Sequence, residues 1–385
     1  MRKKVLLIAT IFRVGERIYP IIPELHKFVD IDLLQINEMS KELKWYGTED
    51  PRIKFHKEYD KYFDKIIDGG RQSIEEYGAK NAYPCTEIKN LDVDEYDLII
   101  FDDDRDRHGV WYIYDQVKDR IPMVGNVHGN WWSALDGYLD KSHIQKFHQK
   151  TFNYASVFGV KERDSYNPND YILAGGIPSN DDLKYYDRTD DFILVIVNFL
   201  GHMRDITIKY PHGYMWKGSV PEFYRVLVDE DFIKNAKLVE LQKKYNKKVV
   251  FKLKGRAAHP YPKKDFDYLK TIVPKELDYE VIMDFPDNNQ LICGSSLVIS
   301  APSTFAFKPI QKGIPTILIN GAGIVGNFQD YRGLIELGKD NILDRVEKEI
   351  SLGRDESFIK NTIEGGLDFT STERYVKNIM GILND

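Results

Sequence analysis

What most constrains the fold of this chain is a train of short, continuous apolar runs separated by longer amphipathic or polar stretches. The first half holds "KVLLIAT", "DIDLLQI", "YDLIIF" at residues 96–101, "IPMVGNV", "ASVFGV" and "DYILAG". A strand with one wet face alternates apolar and polar residues. These runs do not alternate, so both of their faces need cover, which helices on either side of a parallel sheet supply. The intervening segments fit that plan: "ERIYPIIPELHKF" is helix-like but kinked by its two prolines, and Val110 to Val117 reads as another helix. A turn-rich stretch, "GGIPSNDDLKYYDRTDD" at residues 175–191, then interrupts the pattern. The alternation restarts with "FILVIVNFLG", the helix-like "PEFYRVLVDEDFIKNAKLVELQKKY", "KKVVFKLKG", "YEVIMDF", "SSLVIS" and "PTILING". It ends in an amphipathic helix, "STERYVKNIMGILND".

At 385 residues the chain exceeds the usual size of one hydrophobic core. The expected architecture is α/β, with two Rossmann-like doubly wound domains facing a central cleft. Residues 1–178 are expected to form the first domain, 179–191 a linker and 192–370 the second, with 371–385 a terminal helix packing back on the first. Ligands of such sheets bind outside the carboxyl ends of the strands. No "GxGxxG" follows the first strand, which argues against a dinucleotide dehydrogenase.

Charge and cysteine content narrow the function classes. Against 54 lysines and arginines stand 60 aspartates and glutamates, a net charge of −6, so there is no global footprint for nucleic acid. Cys85 and Cys293 make neither a zinc spacing nor a disulfide framework, which suits a reducing, cytoplasmic setting. The opening "MRKKVLLIATIF" imitates a secretion signal, but its apolar run is short and Arg13 interrupts it. Val5 to Ile11 therefore reads as a buried first strand. No run approaches the ~18–20 apolar residues of a membrane span.

The segment richest in chemistry is "SSLVISAPSTFAFKPIQKGIPTILING", residues 295–320. A strand over Leu297–Ser300 ends in Ala301-Pro302-Ser303-Thr304, where a helix of two to three turns begins. Ser303 and Thr304 fall at its N-terminus, whose free N–H groups and dipole favour an anion such as a diphosphate. A serine at a helix start is also a common cap with no other duty. Position at the carboxyl end of a strand favours the ligand.

This segment resembles the nucleotide-diphosphate segment of the GT-B glycosyltransferase superfamily, nearest to CDP-glycerol glycerophosphotransferases, capsule and teichoic-acid transferases, and UDP-N-acetylglucosamine 2-epimerases. "FGVKERDSYN…YILAGGIPSNDDL", residues 158–183, is similar to the stretch where such proteins end their first domain. "VGNVHG" resembles their histidine–glycine turn, and "VVFKLKGRAAHP" their strand that closes on His-Pro. The resemblance spans roughly residues 121–320. There are departures. Many relatives grip the nucleotide ribose with an acidic residue in the helix after the Ser/Thr turn, where this chain has Phe305, Phe307 and Lys308. The several carboxylates of the epimerase pattern are not evident in the first half either.

Four further candidates follow. In "KLKGRAAHP", Lys252, Lys254, Arg256 and His259 sit at and just after a strand end, where cations would stabilise a leaving diphosphate; a solvated basic loop is the plainer alternative. In "NFLGHMRD", His202 and Arg204 resemble the His-Arg pair found there in epimerase-like sequences, which implies reach to the same diphosphate; a structural loop is the equal alternative. In "FDDDRDRHG", Asp102 and Asp104 form a D-x-D; their neighbours Arg105 and Arg107 favour solvated ion pairs over a metal site, and Asp102 or Asp103 keeps an acceptor-side role as a further reading. In "PMVGNVHGNWW", His128 has the pKa range of a general base and flanking glycines that admit a substrate. Trp131 and Trp132 offer flat apolar surface to an acceptor. A strand-capping histidine beside core tryptophans is the competing reading.

The resemblance implies a transferase that moves a sugar or related group from a UDP-, GDP- or CDP-linked donor to an acceptor hydroxyl, with polysaccharide biosynthesis as the setting. No cofactor and no metal is expected. His128 would be the base; Ser303, Thr304, Arg256, His259, Arg204 and His202 would hold the donor diphosphate; Asp102, Trp131 and Trp132 would face the acceptor. A UDP-sugar 2-epimerase, a CDP-glycerol-type phosphotransferase, a DNA-base-modifying sugar transferase and a non-catalytic ligand-binding protein stand as alternatives. The acceptor class, whether glycan, polymer, metabolite or modified nucleic acid, stays open.

Overall fold

The computed structural model describes residues 2–10, 19–38, 58–72, 90–101, 113, 116–117, 120–126, 154–165, 172–197, 232–233, 236–253, 262–282, 287–320, 326–336 and 340–385. They form two parallel sheets. The first contains β1 (Lys4–Thr10), β2 (Asp30–Glu38), β3 (Lys65–Gln72), β4 (Leu98–Phe101), β5 (Met123–Asn126), β6 (Tyr154–Val157) and β7 (Ile172–Ala174). Its spatial order is β3-β2-β1-β4-β5-β6-β7, with every pairing parallel. The second contains β8 (Phe192–Val197), β9 (Lys248–Leu253), β10 (Tyr279–Ile282), β11 (Ser295–Ser300), β12 (Thr316–Asn320) and β13 (Leu334–Glu336). Its order is β10-β9-β8-β11-β12-β13, again all parallel. The described helices are α1 (Ile22–Leu25), α2 (Val160–Ser165), α3 (Leu238–Tyr245), α4 (Pro262–Ile272), α5 (Asn288–Cys293), α6 (Phe307–Lys312), α7 (Ile342–Leu352), α8 (Glu356–Thr362) and α9 (Ser371–Asn384).

The continuous apolar runs are buried on both faces, as their composition demands. Along β1, Val5, Leu7 and Ala9 enter one core with Leu98, Ile100 and Val124, while Leu6 and Ile8 enter another with Ile99, Phe101 and Met123. The second sheet repeats this: Ile193, Val195 and Val197 face one way, Leu194 and Ile196 the other. One expected helix is broken up in its described part: of residues 19–28, only the 3-10 turn Tyr19–Ile21 and the four-residue α1 are helical, because Pro20 and Pro23 withhold backbone donors. In the segment before β9, residues 221–231 and 234–235 lie outside the described ones; Phe232 and Ile233 are helical, and α3 begins at Leu238 after Lys237 takes a left-handed φ of 49°.

The segment joining the sheets is packed. Its 3-10 run, Pro178–Tyr185, buries Pro178, Asn180, Asp181 and Leu183. From α6, the Lys308 ammonium donates to Ser179 O at 3.1 Å and that of Lys312 to Leu183 O at 2.7 Å. Asn180 donates to Gln311 Oε1 at 2.5 Å. The Asp181 carboxylate accepts the backbone N–H of Ser371 at 3.1 Å and of Thr372 at 2.7 Å, capping α9 from 190 residues away. Tyr375, Val376, Ile379 and Leu383 of α9 then fill the β1–β4 face of the first sheet. Two glycines make room: a Cβ on Gly175 would lie 2.9 Å from the Tyr375 ring, and Gly176 holds φ +71° against the Glu364 carbonyl.

Buried phenols set the alkaline limit of this fold. Burial pushes the Tyr96, Tyr331 and Tyr375 hydroxyls well above the ordinary phenol range, aided for Tyr96 by its 2.8 Å hydrogen bond to the fully buried Asp32. A phenol whose folded pKa exceeds its unfolded value contributes stability in full below about pH 10 and loses it as the pH rises toward the folded value. Unfolding free energy is expected to fall above that pH by up to about 1.4 kcal/mol per pH unit for each such tyrosine. Urea unfolding series on either side of it test this. A flat profile would mean that these hydroxyls are solvated.

Candidate functional site

A doubly wound sheet opens a crevice where its strand order reverses, because the connections on either side of that point leave toward opposite faces. The reversal lies beside β1 and β4 in the first sheet and beside β8 and β11 in the second. Ser303 and Thr304 stand at the second of these points. β11 ends at the buried Ser300, whose hydroxyl donates to Ala301 O at 2.8 Å. The chain emerges extended at Ser303 (φ −149°, ψ 145°), makes a 3-10 turn over Thr304–Ala306 and runs straight into α6. Ser303 is the cap residue of that turn by position, but its side chain makes no capping hydrogen bond. Both side chains are only partly buried. A hydroxyl not spent on capping, beside the first N–H groups of a helix, suits an anion.

The next residues divide their duties. Phe305 is partly buried against the cluster of Leu194, Ile196, Val250 and Val298, and the Lys252 ammonium lies 5.8 Å from its ring centroid. Phe307 is fully buried in an aromatic core. Lys308 is 7% exposed, and besides Ser179 O it holds Asn289 Oδ1 at 2.9 Å. Where relatives by resemblance place a ribose-gripping acid, this helix thus has a core ring and a lysine that ties it to the joining segment. Nearby, Asp287 caps α5 by accepting the N–H groups of Asn289 and Gln290 at 2.9 and 3.1 Å. The Tyr186 hydroxyl donates to its other oxygen at 2.6 Å, and that bond together with burial pushes the phenol to about 12.

Of the candidates named from sequence, the described residues contain Ser303, Thr304 and Lys252. His128, Arg256, His259, Arg204, His202, Asp102, Trp131 and Trp132 lie outside them, as do Asp104 and Lys254. Their places in the chain are informative all the same. Asp102 follows the last residue of β4, and His128 comes two residues after β5. His202 and Arg204 follow β8, and Arg256 and His259 follow β9. Among the described residues, no group of three or more His, Cys, Asp or Glu is placed to hold a metal, and no helix is long and apolar enough to cross a membrane. Phe305 was legible only as a departure from the family pattern, since its contact with Lys252 spans an intervening strand.

No family model matches the chain, and no curated protein matches it. Solved structures do. UDP-GlcNAc 2-epimerase from Neisseria meningitidis, bound to UDP-GlcNAc, matches 98% of this chain and 100% of its own at 13% identity and a TM-score of 0.56. A glycosyltransferase from Rickettsia africae matches 100% of this chain and 98% of its own at 12% identity and a TM-score of 0.53. The wall teichoic acid polymerase TagF matches 99% of this chain and 89% of its own at 10% identity and a TM-score of 0.51. The chain has the GT-B fold. These matches run through both sheets, so the likeness embraces the whole two-domain plan. The Ser303–Thr304 turn therefore sits at the strand-order reversal of the second GT-B half, on the carboxyl side of its sheet.

Proposed function

We propose that the chain is a GT-B enzyme that takes a nucleotide-diphosphate sugar and transfers the sugar to an acceptor hydroxyl. The observation that carries this reading is the uncapped Ser303–Thr304 helix start at the reversal point of the second sheet. Its N–H groups and two hydroxyls offer donors to a diphosphate, and an anion gains further from the helix dipole. As the bond between sugar and diphosphate breaks, negative charge grows on the leaving phosphate. Fixed donors and cations answer that charge without a metal. His202, Arg204, Arg256 and His259, which follow β8 and β9 in the chain, are the proposed cations. The half built on β1–β7, residues 1–178, is the proposed acceptor domain, with 192–370 the donor domain. His128 is the proposed base that takes the acceptor proton, and Asp102, Trp131 and Trp132 are the proposed acceptor contacts.

A thermal-shift series with UDP, GDP, CDP and their sugars tests the reading. One base is expected to stabilise the protein, by about 2.7 kcal/mol at a ligand concentration of 100 Kd. Ser303→Ala combined with Thr304→Val is expected to weaken that binding about 10-fold or more. A chain indifferent to every nucleotide would sink the proposal. One alternative has an observation of its own: the N. meningitidis protein is named as a 2-epimerase. Turnover of a UDP-sugar without any acceptor would favour that reading, whereas acceptor-dependent release of the nucleotide, lost in His128→Ala, supports transfer.

A further inference from the structure

Asn320 and Glu336 close the carboxyl ends of β12 and β13. In register, Leu318 pairs with Ser300 of β11 on one side and Leu334 of β13 on the other, and Asn320 pairs with Glu336. Both residues therefore stand two positions, about 6–7 Å, beyond the level of Ser300, on the rim where β11 gives way to the Ser303–Thr304 turn. The pleat decides which face they occupy. Ile317, Ile319 and Ile335 enter one core, whereas Leu318 and Leu334 meet Phe307 and Ile310 of α6 in another. Side chains two residues apart on a strand share a face, so Asn320 and Glu336 lie on the side that α6 covers. α6 starts at that same rim, directly after the Thr304–Ala306 turn. With strands about 4.8 Å apart, Glu336 is two spacings, about 10 Å, from the line of β11.

The Glu336 carboxylate is held on one side only. The amide of Asn320, itself 1% exposed, donates to Oε1 at 2.9 Å and draws the group toward β12 and so toward the turn. The backbone is fixed as well: Glu336 N–H donates to Asp340 Oδ2 at 3.0 Å, and Arg345 holds Asp340 Oδ1 at 3.1 Å. The second carboxylate oxygen takes no hydrogen bond from the described residues, and the side chain is only partly buried. A fixed carboxylate repels a phosphate and accepts from hydroxyls. In a nucleotide-diphosphate sugar, hydroxyls come as neighbouring pairs, on the ribose and on the sugar to be transferred. Dinucleotide-binding sheets also place an acid on ribose hydroxyls. We propose that Glu336, oriented by Asn320, accepts hydrogen bonds from a vicinal diol of the bound nucleotide sugar. This assignment rests on the nucleotide reading of the Ser303–Thr304 turn. It supplies from β13 a carboxylate of the kind that relatives by resemblance carry in the helix, where this chain has Phe305, Phe307 and Lys308.

Calorimetric titration of UDP, GDP and CDP into the full chain selects the base. The selected diphosphate, its 2′-deoxy form and its glucose conjugate are then titrated into the parent and two variants. Glu336→Gln keeps an oxygen for Asn320 and is expected to weaken binding of the diol-bearing ligand about 3- to 10-fold, and Glu336→Ala about 10- to 100-fold. The ligands separate the two sources of the diol. If the ribose supplies it, the parent prefers the ribo form to the 2′-deoxy form, and that preference disappears in both variants. If the transferred sugar supplies it, the loss is confined to the glucose conjugate. Thermal midpoints serve as the folding control, since alanine also takes the Glu336 contact away from the buried Asn320. Variants that bind every ligand within twofold of the parent would overturn the assignment while the nucleotide site stands. Equal losses on the ribo, 2′-deoxy and conjugated forms would leave Glu336 a structural role and overturn it too. A parent chain that binds none of these ligands would remove the nucleotide reading itself, and this inference with it.

Discussion

Truncating Phe307 to alanine is expected to cost about 3–5 kcal/mol of unfolding free energy, the range for a large aromatic removed from a core that does not collapse. The ring is fully buried. It stacks on Phe328 with centroids 4.4 Å apart, meets Phe158 edge-on at 5.6 Å and lies nearly parallel to Phe358 at 6.4 Å. These rings arrive from well-separated parts of the chain, so no single element can shift to fill the void. The walls are also pinned: the Phe158 carbonyl accepts N–H groups from Gly176 at 3.1 Å and Glu364 at 2.9 Å. Urea unfolding followed by circular dichroism gives the number, and Phe307→Leu should lose much less. A cost under about 1 kcal/mol would mean that the cluster is loosely packed. Because Phe307 is three residues past Thr304, the alanine variant should also bind nucleotide less well at temperatures where it is still folded.

The second large effect is expected at Asp181, where alanine should cost about 2–4 kcal/mol. Its carboxylate satisfies the first two N–H groups of α9, and a buried donor left without a partner costs about 1–3 kcal/mol. Asparagine, which keeps one acceptor oxygen, should fall between alanine and the parent. The sign of the pH dependence follows from burial, which raises the carboxyl pKa more than the N–H groups of Thr372 and Ser371 lower it. A group whose folded pKa is raised gives its full stabilisation below its unfolded pKa and loses it as the pH climbs through the folded value. The gap between parent and Asp181→Ala should therefore be wider in mild acid than at neutral pH. Hydrogen exchange locates the damage: α9 should open before the β8–β11 core does. Uniform exchange across both sheets would contradict the capping role.

The central strands could be read directly from sequence, and the physical reason is burial. β1, β4, β5, β8, β11 and β12 each hold a continuous apolar run because both of their faces are covered. β3 and β13 escaped notice. Each is the outermost strand of its sheet, and "KIIDGGRQ" and "LIE" have too few apolar residues to stand out. Helix length was overestimated where periodicity outran its punctuation, as at Pro20 and Pro23. At the site, Ser303 and Thr304 were visible because a helix start after a buried strand is a local pattern. The pairing of Lys252 with Phe305, like that of Asp181 with Ser371, joins residues distant in sequence. Only the winding of the sheet brings them together.

The packing of α9 on the first sheet also orders events in time. Val5, Leu7 and Ile100 share their core with Ile379 and Leu383. That core stays incomplete until α9 has been synthesised. At ribosomal speeds of about 5–20 residues per second, residues 179–383 take roughly 10–40 s to emerge. During that interval the nascent first half carries an uncovered apolar face. A ribosome stalled after β7 should therefore hold a chaperone client. A peptide with the α9 sequence, supplied in trans, should bind the released fragment and shield it.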